Sequence, residues 1–80
     1  MDIVISRDDI VKAKEVYLFN QDTLYIIDDN ETPYGLIKGQ KEWFIKESFW
    51  DYFDSRLMMT YLQVPSKEEA LKIYDEWISL

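Results

Sequence analysis

The chain has 80 residues, 48% of them hydrophobic and 16% aromatic, with only 2 Gly and 2 Pro; that is material for one core, too little for two, and the reverse of a disordered composition. It has no cysteine and no histidine, which leaves no disulfide, thiol nucleophile, ordinary zinc site or His-based triad to be expected. Sixteen acids against nine bases, a net charge of −7, disfavour nucleic acid and anionic membranes as partners and point to a basic one.

In chain order, Ser6-Arg7-Asp8-Asp9 sets a hydroxyl three residues before a carboxylate, a capping-box pattern that predicts a short helix to about Glu15 with Ile10, Val11 and Ala13 on its buried edge. Residues 16–19 are β-branched and aromatic and end at the polar break Asn20-Gln21-Asp22, as a strand and turn do. Residues 23–27 form the clearest strand, followed by the turn-forming cluster 28–33 and a second apolar run at 34–37; together they predict an antiparallel hairpin. Lys38-Gly39-Gln40 closes the second strand, with Gly39 free to take positive φ.

From Trp43 onward the period changes: Ile45, Phe49, Phe53 and Leu57 recur every four residues, which predicts an amphipathic helix near 46–57, with Ser48 and Asp51 as an alternative start. Residues 59–64 alternate at period two and stop at Pro65, as a last strand does. Ser66 followed by Lys67-Glu68-Glu69 predicts a capped helix over 66–79 with Ala70, Leu71, Tyr74, Trp77 and Ile78 on one face. The expected fold is one α+β domain: a small antiparallel sheet of three or four strands with two or three helices packed on one face. No apolar run approaches the roughly 20 residues needed to cross a bilayer and nothing resembles a signal peptide, so a cytoplasmic protein without a cofactor is expected.

The chemistry-bearing residues are acids and aromatic rings. Asp28, Asp29, Asn30 and Glu31 are consecutive oxygen donors, but adjacent acids diverge and lack the alternating spacing of an EF-hand, so a turn is the simpler reading. Gly35 and Gly39 are not followed by the Lys-Ser/Thr of a phosphate loop. Paired carboxylates working as acid and base stay open as an enzymatic alternative.

Trp43, Phe44, Phe49, Trp50, Tyr52 and Phe53 fall within eleven positions, and on a helix Trp50 and Tyr52 turn away from the side that Phe49 and Phe53 share. Either other elements bury them, or they form an exposed patch with the composition of a protein-binding surface. The candidate site is therefore Trp43, Trp50 and Tyr52 with Glu47, Asp51 and Asp54, joined by Asp28, Asp29 and Glu31 if the acids gather. Single-stranded nucleic acid also uses exposed rings but needs basic neighbours, and here the neighbours are mainly acidic. A gathered acidic face would also suit mimicry of DNA, a strategy of some phage-encoded inhibitors. The function expected from these residues is non-catalytic binding of another protein, as an inhibitor, immunity or regulatory protein, with a homodimer as a further way to cover the rings.

Residues 23–37, TLYIIDDNETPYGLI, resemble the strand-turn-strand of a CBS domain, and residues 64–74, VPSKEEALKIY, resemble its opening strand and capped helix. The resemblance implies a regulatory domain that binds adenosine nucleotides. The two pieces stand in the reverse of the family's order, and Lys38-Gly39-Gln40-Lys41 occupies the place of the Thr/Ser-x-x-Asp that contacts ribose.

Overall fold

The computed structural model describes residues 3–53 and 55–80, with the backbone alone at 57–59. The elements run α1 (Arg7–Lys12), β1 (Glu15–Phe19), β2 (Thr23–Ile27), β3 (Pro33–Ile37), β4 (Phe44–Ile45), α2 (Phe49–Phe53), α3 (Arg56–Tyr61), β5 (Leu62–Gln63) and α4 (Lys67–Ile78). The expected α+β class holds. The sheet has five antiparallel strands in the order β4-β3-β2-β1-β5, more than the three or four expected, because two-residue strands extend both edges.

Local chemistry sets the boundaries. Ser6 caps α1 through the amide of Asp9 while the Asp9 carboxylate accepts from the Ser6 amide at 2.8 Å, the reciprocal pair that the spacing predicted. The helix stops at Lys12, short of Glu15, where Ala13 turns extended. Ile10 and Ala13 are buried, whereas Val11 faces solvent. Between β1 and β2, Asn20 and Gln21 both take positive φ, 52° and 60°, the left-handed pair that tight hairpin connections require. Gly39 at φ 92° makes the turn after β3. Ser66 caps α4 by accepting from the Glu69 amide at 3.1 Å.

Two stretches differ from the sequence reading. Ile45 belongs to β4, paired with Tyr34, and two short helices, α2 and α3, stand in place of one helix over 46–57. The strand expected at 59–64 shrinks to Leu62–Gln63, because α3 continues through Tyr61; the Thr60 hydroxyl donates to the Arg56 carbonyl one turn back at 2.7 Å, a helical contact.

The helices were expected on one face; they cover both. Side chains alternate across a strand, so Val16, Leu24, Ile26 and Leu36 point to a core completed by α1, Trp43 and the α4 residues Ala70 and Trp77. Tyr17, Tyr25 and Ile27 point the other way, into a second cluster with Phe44, Phe49 and Phe53. All five residues of β2 are buried as a result. Each fully buried Leu or Ile of this kind stabilises the fold by roughly 1.5–3 kcal/mol.

Candidate functional site

The second face carries the aromatic excess. Phe49 inserts between Tyr17 and Tyr25, with ring centroids 5.6 and 5.0 Å away, and Phe53 meets Tyr17 edge-on at 5.5 Å. Such tilted and edge-on pairs are worth about 0.5–1.5 kcal/mol each beyond area burial. Gly35 makes room for this layer: a Cβ there would lie 2.6 Å from Phe44 Cζ and 2.9 Å from Tyr25 Cε1.

With Phe49 and Phe53 turned to the sheet, the 100° step of an α-helix places Asp51 on the outer crest of α2 and Trp50 and Tyr52 on its two flanks. Exposure agrees: Phe49 is 1% exposed, Trp50 40% and Tyr52 54%, and Asp51 and Glu47 are open to solvent. Trp50 packs edge-on against Phe49 at 5.2 Å, and its indole N–H donates to the Glu31 carbonyl at 3.0 Å. Lys46 Nζ lies 5.9 Å from the centroid of the Tyr52 ring, a cation–π distance. Both rings are therefore fixed by partners while large parts of them stay wet.

The turn beside Trp50 is built by Asp28. Its Oδ1 accepts from the amides of Asn30 and Thr32, each at 2.9 Å, and Glu31 takes φ 61° at the corner. These bonds aim the Glu31 carbonyl at Trp50. The Glu31 carboxylate pairs with Lys14 at 3.0 Å and, through that hydrogen bond first and charge second, holds the Lys14 ammonium pKa above its ordinary value. Sequence reasoning missed Lys14 and Lys46 as neighbours of the site; the only local signal was that each directly precedes a glutamate, Glu15 and Glu47.

The expected site residues separate. Trp50, Tyr52, Asp51, Glu47 and Glu31 come together around α2. Trp43 does not join them: it is 4% exposed, lies in the opposite core and stacks on Tyr74 with centroids 6.4 Å apart. The reason is strand parity, since Trp43 bridges to Ile3 beside β4 and so faces away from Phe44. Its Nε1 is buried without a hydrogen-bond partner among the described residues. Asp54 lies outside the described residues. Asp28 and Asp29 open instead onto a hollow of about 400 Å³ floored by Ile5 and Ile26 and rimmed by Asp9 and Lys12.

Two of the carboxylates of that hollow, those of Asp9 and Asp28, already hold backbone. Asp9 Oδ2 accepts from the Ser6 amide and hydroxyl at 2.8 and 3.0 Å, and Asp28 secures its own turn. Burial, with a smaller contribution from Asp28, pushes the pKa of the Tyr34 hydroxyl on its wall upward. Among the described residues no three acids converge as metal ligands, and no helix is long and apolar enough to cross a membrane.

Fold and site thus define a five-stranded antiparallel α+β domain with a wet aromatic helix on one face. No protein-family model matches the chain, and neither the curated proteins nor the solved structures contain a match to it.

Proposed function

We propose that this domain is a non-catalytic protein-binding module, acting as an inhibitor, immunity or regulatory protein, and that α2 is the surface it presents to a basic partner. The observation that carries the reading is the pair of half-exposed rings, Trp50 and Tyr52, held on either flank of Asp51 above a buried aromatic layer. Aromatic anchors with a charged rim are the composition of interface hot spots. Rings already fixed by Glu31 and Lys46 lose little further freedom on binding.

Asp51 and Glu47 supply the rim, and neither has an ion-pair or side-chain hydrogen-bond partner among the described residues. Their fields steer a cationic partner and fix its register more than they add affinity.

The test is capture of basic proteins by the immobilised full chain at low and high salt. Trp50→Ala and Asp51→Lys should abolish capture while circular dichroism shows the fold intact. Glu76→Lys, an exposed change on α4, should leave capture unchanged. Equal capture by all four proteins would remove α2 as the binding surface.

A further inference from the structure

We infer that the cation selected by the α2 surface is the guanidinium of an arginine, in preference to a lysine ammonium; this rests on the protein-binding reading of the same site. Three observations carry it. Tyr52 is 54% exposed although Lys46 already stands over its ring, so the ring attracts cations and still has surface to offer. Asp51 and Glu47 are exposed carboxylates without an ion-pair partner among the described residues. Trp50, fixed through Glu31, adds a second half-exposed ring on the far flank of Asp51.

An exposed ring and an exposed carboxylate at successive positions of one short helix, Tyr52 and Asp51, suit one chemical group best. A guanidinium is planar and weakly hydrated, stacks on a ring face, and forks its N–H groups onto a carboxylate. An ammonium is a compact, strongly hydrated point charge that gains from the carboxylate but little from stacking. The chain's own lysines at the site are engaged, Lys14 by Glu31 and Lys46 by Tyr52. The next cation along the chain, Arg56, opens α3.

The probes are hexa-arginine and hexa-lysine peptides of equal charge, titrated against the full chain at low salt with backbone amide shifts as the readout. Hexa-arginine should bind roughly threefold or more tightly, in line with the cation–π increment at an exposed ring, with shifts concentrated at residues 46–53. Tyr52→Leu, a change at an exposed position, should erase the arginine advantage while leaving hexa-lysine binding within about twofold. Asp51→Asn should weaken both peptides. Equal binding of the two peptides, still lost in Asp51→Asn, would overturn guanidinium selection and leave the basic-partner reading standing. An arginine advantage that survives Tyr52→Leu would also overturn it. Absence of any shift near α2 with either peptide would overturn both readings together.

Discussion

The indole of Trp50 donates to the backbone carbonyl of Glu31 across 3.0 Å, so a helix of five residues is tied to the β2–β3 turn nineteen positions earlier in the chain. Trp50→Phe keeps an aromatic ring but deletes this bond. A loss of about 0.5–1.5 kcal/mol is expected from urea unfolding. Because Trp43 and Trp77 are 4% and 5% exposed, the same substitution should also remove most of the iodide-quenchable tryptophan emission.

Gly35 lies against the rings of Phe44 and Tyr25. Gly35→Ala would put a methyl group 2.6 Å from Phe44 Cζ, forcing the aromatic layer off the sheet at a cost of about 1–3 kcal/mol. A lower unfolding midpoint, with near-ultraviolet dichroism from the rings reduced, is the expected outcome. An unchanged midpoint would mean that Phe44 swings aside freely.

Alkaline pH should unfold the domain through Tyr17. Burial, aided by the hydrogen bond to Glu15, pushes its hydroxyl pKa up to about 12, and burial also raises Tyr25. The folded state therefore keeps these protons when an unfolded tyrosine, with a pKa near 10, has lost them. The contribution is full below about pH 10 and disappears as pH climbs through about 12. Stability measured against pH should fall across that window, and Tyr17→Phe should make the fall shallower.

Lys67 donates to the carbonyls of Val11 at 2.7 Å and Ala13 at 2.6 Å, a cation at the C-terminal end of α1 where the helix dipole welcomes it. Lys67→Met retains much of the stem and removes both bonds. Destabilisation of about 1.5–3 kcal/mol is expected, with amide exchange rising first in α1.

Adenine nucleotides test the CBS-like alternative directly. If the protein-binding reading holds, millimolar AMP or ATP should leave the melting temperature unchanged; a rise of several degrees would make nucleotide binding the better account.

Much of the fold was legible in the residues themselves. The β2 run, the hairpin to β3 and both serine caps depend on local patterns, and they appear where those patterns put them. The run Leu24-Tyr25-Ile26-Ile27 also signalled cover on both faces, since a strand wet on one side would alternate; the single-sided packing expected for the helices overlooked it. The four-residue spacing of Ile45, Phe49 and Phe53 misled because it joins a strand residue to two helical ones. Ile45 pairs with Tyr34 in β4, whereas Phe49 and Phe53 belong to α2 on the opposite side of the sheet. Within the site, the outward turn of Trp50 and Tyr52 follows from helical geometry and is observed. The burial of Trp43 depends on its bridge to Ile3, forty positions away, and no local pattern carries a pairing of that span.

The contacts between α1 and α4 bear on how the chain is made. The Tyr74 hydroxyl reaches the Ile5 carbonyl at 3.0 Å across 69 positions, the Arg7 guanidinium pairs with Asp75, and Lys67 closes on Val11 and Ala13. At ribosomal speeds of about 5–20 residues per second, α1 emerges on the order of 3 to 14 seconds before the helix that secures it. During that interval Ile10 and Leu24 have no finished core to enter, so the nascent chain must wait for α4 before this core can close.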